Sequence, residues 1–271
     1  MYENILHNVK KHPSLVHCIT NYVTVNDVAN MVLASGGSPI MADDKSEVEE
    51  ITSICTSLVI NIGTLNARTV EAMVLAGKRA NVLGHPVILD PVGAGASSMR
   101  TETVKRLLKE VQFDVIRGNI SEIKTVFAGS GAMSGVDASE ADAVTEENLG
   151  EVIDMTKRLS AQTGAVIVVT GAVDIVSDER SSFIIRNGDP MMSRITGTGC
   201  MLDGVIAGFV GSNQDRVLEA AAAAVCAVGY CGEKARAKCG GTSSMRMHLI
   251  DAMSRLTAEE LERGAKVENR S

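Results

Sequence analysis

The chain has 271 residues, 45% of them hydrophobic and 22% charged, with a formal net charge of −7. That balance fits a globular protein with a sizeable core, and the negative charge, with no basic stripe, argues against a nucleic-acid partner. Aromatic residues make up 3% and Trp is absent, so Val, Ile, Leu, Ala and Met must fill the interior.

In chain order, the segment from Met1 to Pro13 is polar and holds no apolar signal-peptide core. A helix is predicted over Val25 to Ala34, closed by Gly36-Gly37, and a short strand at Ser38 to Met41. A second helix is expected near Glu47 to Ile54, then the apolar run Leu58 to Ile62 ends at Gly63. A long helix from about Ala67 to Val82 is capped by Gly84, and the strand Val87 to Leu89 stops at Asp90-Pro91. Thr101 to Val111 reads as helix and Asp114 to Ile116 as strand. Residues 129 to 143 have the most loop-like composition. Leu149 to Ala161 is helix again with Gly164 past its end, and Ala165 to Val169 is a buried strand. Ile175 to Ile185 is expected to form an antiparallel hairpin around Asp178-Glu179-Arg180, and from Cys200 onward the chain reads as all helix.

Short β-branched runs separated by helices are the pattern of βαβ units, so the expected class is α/β with a mainly parallel sheet and helices on both faces. No low-complexity linker divides the chain, which favours a single domain over residues 1–271. The longest apolar stretch, Ala220 to Val228, is far shorter than the roughly 20 residues of a membrane span. Cys18, Cys55, Cys200, Cys226, Cys231 and Cys239 include no C-x-x-C pair and no His at zinc spacing, so they read as reduced thiols of a soluble cytoplasmic protein.

Strands that end in Gly63, Asp90, Asn119 and Thr170 direct attention to the carboxyl edge of the sheet, where open α/β sheets bind ligands. The most informative segment is Ile195-Thr196-Gly197-Thr198-Gly199-Cys200-Met201. Two glycines before a helix gather backbone N–H groups at an end that favours negative charge, a turn able to stabilise a phosphoryl group in flight. It is neither a P-loop, lacking Gly-Lys-Ser/Thr, nor a Rossmann fingerprint, since Leu202 stands where the third glycine belongs. Cys200 opens the helix, where a thiolate is favoured. It can serve as base toward an alcohol or only shape the pocket, and the plainer alternative is a Gly-rich turn beside a small buried hydrophobe.

Thr-Gly-Thr-Gly-Cys resembles the Gly-x-Gly-Asp anion-hole motif of the ribokinase-like small-molecule kinases, with Cys in place of the catalytic Asp, a replacement typical of the hydroxyethylthiazole kinase family. The resemblance extends through His17-Cys18-Ile19-Thr20-Asn21-Tyr22-Val23-Thr24, Pro39-Ile40-Met41, Asn61-Ile62-Gly63-Thr64-Leu65, Leu89-Asp90-Pro91-Val92-Gly93-Ala94, Arg117-Gly118-Asn119-Ile120-Ser121-Glu122 and Val169-Thr170-Gly171, in the family's order.

It implies a three-layer ribokinase-like fold without a separate lid. It further implies Mg-ATP as phosphoryl donor and the primary alcohol of hydroxyethylthiazole as acceptor, in thiamine biosynthesis or salvage. Catalysis falls to Cys200, Gly197 and Gly199. Mg²⁺ falls to Asp90 and Glu122, and ATP to Arg117, Thr170 and Asn119. The thiazole pocket falls to Asn21, Val23, Asn26, Met41 and Gly63, with Gly197 at its alcohol end. The family is trimeric, with sites between subunits. Asp203, one turn after Cys200, is a weaker candidate base, and the lone His17 and His85 carry no catalytic expectation. Rival readings are a kinase of the hydroxymethylpyrimidine half of thiamine, an ATP-dependent repair dehydratase, and a ligand-binding regulator on a decayed kinase scaffold. Cys in the anion-hole turn argues against the first two, and the presence of Asp90, Glu122 and both glycines against the third.

Overall fold

The computed structural model describes residues 2–129 and 143–271, and most of the loop-like segment noted above therefore lies outside the described residues. Strands β1 (Leu15–Ile19), β2 (Ser38–Ile40), β3 (Ser57–Asn61), β4 (Val87–Asp90), β5 (Val115–Asn119) and β6 (Val166–Thr170) run parallel. Strands β7 (Asp174–Ser177), β8 (Ser182–Ile185) and β9 (Val267–Arg270) extend the same sheet antiparallel. Among the described residues these nine form one sheet in the order β2-β1-β3-β4-β5-β6-β7-β8-β9.

Both faces are covered, and each inner strand divides its apolar side chains between two cores, as a period of two requires. In β3, Val59 joins one core while Leu58 and Ile60 join the other. The first core is closed by α1 (Tyr2–Lys11), α2 (Val25–Ala34), α8 (Thr198–Gly211), α9 (Val217–Arg236), α10 (Thr242–Ser254) and α11 (Ala258–Gly264). The second is closed by α3 (Val48–Ile54), α4 (Ala67–Leu83), α5 (Ser98–Glu110), α6 (Ile120–Gly129) and α7 (Leu149–Thr163). The glycines expected to end helices do so: Gly84 and Gly164 cap α4 and α7 in the left-handed conformation.

Helix α8 is the centrepiece of the first core. Met201 through Val210 are all buried, and Asp203 is the one charged residue among them. It packs on α2 and on α9, whose Ala220 to Ala224 run is wholly buried and lets the two axes approach closely. No helix among the described residues is long and apolar enough to cross a membrane.

Helix α1 and strand β1 lie beyond the elements expected from the sequence, and β9 corrects the expectation of helix alone after Cys200. Strand β9, Val-Glu-Asn-Arg, is a polar edge strand without the apolar alternation that reveals a strand; its backbone pairing with β8 supplies the order. Helix α5 begins at Ser98, earlier than expected, because the Ser97 hydroxyl accepts the N–H of Arg100 as an N-cap.

Candidate active site

The parallel strands deliver their polar last residues to one edge. Asn61 and Asp90 stand side by side at the ends of β3 and β4, and Asn119 and Thr170 at the ends of β5 and β6. Against this row comes the start of α8. Gly197 is its N-cap with φ 88°, a conformation natural only to glycine, and a Cβ there would lie 2.5 Å from Thr24 Cγ2. A Cβ on Gly199 would collide with the Arg117 guanidinium.

Cys200 Sγ, half-buried in the first turn, accepts N–H bonds from Asn21 Nδ2 at 3.2 Å and Asn61 Nδ2 at 3.3 Å. The same Asn61 nitrogen donates to Asp90 Oδ2 at 2.7 Å and lies 3.5 Å from Asp203 Oδ2. Arg117 reaches in from β5: Nη1 is 3.3 Å from Asp90 Oδ2 and 3.9 Å from Asp203 Oδ1, and Nη2 donates to Thr170 Oγ1 at 2.7 Å. Asp90 and Asp203 are both fully buried. Burial, then the neighbouring Asp90, pushes the Asp203 carboxyl well above the usual carboxylate range against the pull of Arg117. Burial works against the Arg117 charge, but Asp203, Asp90 and Glu122 outweigh it and hold the guanidinium firmly protonated.

Asn119 and Glu122 cap each other across the start of α6. The Asn119 N–H donates to Glu122 Oε2 at 2.8 Å, and the Glu122 N–H to Asn119 Oδ1 at 2.9 Å. Glu122 Oε1 also accepts the Gly93 N–H at 2.9 Å. Burial, then the charge of Asp90, raises its pKa above the ordinary value; the Gly93 and Asn119 N–H groups and Arg117 act in the opposite sense.

Asp90, Cys200 and Asp203 place their ligating atoms within 4.8 Å of one another. The Asn61 NH₂, a donor, fills the space among them, so this trio is bridged by an amide and offers no open coordination centre. The donors left for a hard cation are Asp90 Oδ1, buried and without a hydrogen-bond partner, and the nearby Glu122 carboxylate.

Of the residues expected in the thiazole pocket, Asn21 is buried against Cys200 and Gly63 packs against the Asn21 side chain, where a Cβ would come within 2.8 Å. Met41 is half-buried. Val23 is 60% exposed and Asn26 is exposed, so the single chain does not wall them in. A groove of about 560 Å³ begins at Thr198 and Gly199 and runs past Arg117, Thr170, Asp174 and Asn187. A comparable cavity of about 590 Å³, at Lys109, Gln112 and Phe113 just before β5, contains none of these groups.

Two further residues shape the site without having been expected there. Asn61 belongs to a recognised motif but carried no role, because only the fold shows that its amide meets Cys200. Arg100, on the first turn of α5, donates to the carbonyls of Ile62 at 3.1 Å, of Gly63 at 2.5 Å and of Val92, tying together the loops after β3 and β4. Nothing in the sequence around Arg100 signals that contact.

The sheet and the helices over both of its faces are those of the ribokinase-like fold class. A ribokinase-like superfamily protein from Enterococcus faecalis shares this fold, with a TM-score of 0.65 at 14% identity over 94% of this chain and 89% of that one. Within the class, the chain belongs to the hydroxyethylthiazole kinase family, whose model matches residues 6–259. It is 54% identical over 99% of its length to all of a hydroxyethylthiazole kinase of Clostridium acetobutylicum. The structure of a hydroxyethylthiazole kinase protein from Pyrococcus horikoshii matches with a TM-score of 0.90 at 34% identity, covering 100% of this chain and 99% of that chain.

Proposed function

We propose that the whole chain acts as one kinase domain, transferring the γ-phosphoryl group of ATP to the primary alcohol of hydroxyethylthiazole for thiamine biosynthesis or salvage. The observation that carries this reading is the Gly197-to-Cys200 turn facing Asn61, Asp90, Arg117 and Thr170, in a chain of this family.

The alcohol approaches Cys200 from the Asn21 and Gly63 side, and the triphosphate lies in the groove past Thr198, with Arg117 and Thr170 along its path and Asn119 beside Thr170 at the end of β5. The alcohol oxygen attacks the γ-phosphorus in line. A new O–P bond forms as the bond to the β,γ-bridging oxygen breaks, and ADP leaves with that electron pair. Backbone N–H groups from Gly197 to Cys200, at the positive end of α8, take the charge that develops on the phosphoryl oxygens. Cys200 receives the alcohol proton as a modest base, with positioning and charge stabilisation supplying most of the acceleration. Bound Mg²⁺ would neutralise phosphate charge; Asp90, through its free Oδ1, and Glu122, directly or through water, are the residues to hold it.

The exposed Val23 and Asn26, with Tyr22 at 76% exposure, would be covered by a second copy in a homotrimer with sites between subunits, as the family resemblance implies. All six cysteines are free thiols, which suits the reducing cytoplasm. The test is ADP release with Mg-ATP and hydroxyethylthiazole, against hydroxymethylpyrimidine and no-acceptor controls. Turnover that depends on the thiazole supports the reading. Release with only the pyrimidine overturns the acceptor, and no release from folded protein that still binds the thiazole favours a regulator.

A further inference from the structure

Asn61 ends β3 with its side chain 1% exposed, and the orientation of its amide is fixed by its neighbours. Oδ1 accepts the backbone N–H of Gly63 at 2.9 Å, a group that can only donate. Nδ2 therefore faces Asp90 Oδ2, which as a carboxylate can only accept. Asn21 is locked in the same way, because its Oδ1 accepts the Thr24 N–H at 3.2 Å, which turns its Nδ2 toward Asn61 Oδ1 and Cys200 Sγ. Two amide donors thus converge on one sulfur.

We propose that Asn61 is a positioning residue for phosphoryl transfer, holding Cys200 Sγ as a hydrogen-bond acceptor at a fixed place relative to Asp90. Without that NH₂ the sulfur would face two buried carboxyl groups, Asp90 and Asp203, whose ligating atoms share a 4.8 Å cluster with it. A thiol beside bare carboxylate oxygens turns its S–H toward them. With Asn61 donating into the cluster, the carboxylate and the sulfur are both satisfied by N–H groups, and the open side of the half-buried Cys200 is left to the substrate alcohol. The inference rests on the placement of Cys200 at the alcohol end of the site.

The test compares Asn61→Asp and Asn61→Ala, each alone and combined with Cys200→Ala, for kcat and for KM of both substrates. Asn61→Asp keeps the shape and the acceptor for Gly63 but presents an acceptor to Cys200 and Asp90. Should its extra buried carboxyl prevent folding, Asn61→Ala decides the matter. In the native background kcat is expected to fall about 30-fold or more while each KM moves less than about threefold, since the interaction serves the chemical step. On Cys200→Ala the same substitutions should cost less than about threefold, the coupling expected of residues that act through one another. Equal losses in both backgrounds, or a change confined to KM, would overturn the proposal. Unchanged kcat in the Asn61 variants beside a reduced Cys200→Ala overturns the inference alone. An unimpaired Cys200→Ala overturns the reading of Cys200 and the inference with it.

Discussion

Gly199 and Arg117 touch so closely that the guanidinium occupies the space a side chain at Gly199 would need. The Gly197-to-Cys200 turn and the cation that spans Asp90, Asp203 and Thr170 are therefore one assembly. Gly199→Ala should push Arg117 off its partners and lower kcat/KM by about 100-fold, the size of effect produced when one preorganised donor is lost. Gly197→Ala combines a clash with Thr24 and a left-handed backbone, costing about 1–2 kcal/mol of stability as well. Steady-state kinetics beside a thermal melt separates the two, and a Gly199→Ala enzyme with native kcat/KM would contradict the assembly.

Cys200→Ser keeps a small polar side chain at the first turn of α8 but replaces a polarisable sulfur with a harder, less acidic hydroxyl. Turnover should fall about 10- to 100-fold, at or below the usual range for a lost general base, with the elution volume on a sizing column unchanged. Native turnover would remove Cys200 from the mechanism.

Glu122→Gln retains an acceptor for Gly93 but removes the negative charge beside Asp90. The Mg²⁺ concentration giving half-maximal rate should rise severalfold, with kcat at saturating metal less affected. An unaltered metal titration would place Glu122 outside the cation's reach.

His17 is buried on β1, with Nε2 against the Ala42 carbonyl at 2.9 Å and Nδ1 against Thr52 Oγ1 at 2.9 Å. Burial, opposed by the Ala42 carbonyl, lowers its pKa below the ordinary 6.5. The unfolded chain then binds more protons than the folded one just below pH 6.5. Stability from this group is complete above that pH and is lost as pH falls through the window between the two pKa values. Denaturant melts between pH 5 and 7.5 should show the slope, and His17→Gln should flatten it.

The sequence disclosed the layered α/β plan through regular features: short, continuous apolar runs in β3 and β6, and the glycines that end α4 and α7. It disclosed the Gly197-to-Cys200 turn because glycines before a helix have a direct physical meaning. Strand β9 was hidden because its side chains are polar and only the β8 backbone gives it a partner. The Asn61 and Arg100 contacts were hidden for a different reason. Each joins groups far apart in the chain, Asn61 to Cys200 and Arg100 to Ile62, and no local pattern encodes which strand end will meet which helix.

Helix α8 begins at the Gly197-to-Cys200 turn and lies in the packed interior along the rest of its length. Local opening in proteins concentrates in loops and termini and spares such interior elements. The half-buried Gly197-to-Cys200 turn sits at the helix's own terminus, so its N–H groups can shift while the buried Met201-to-Val210 segment keeps the fold intact. The molecule therefore has room for a folded state whose site geometry is slack.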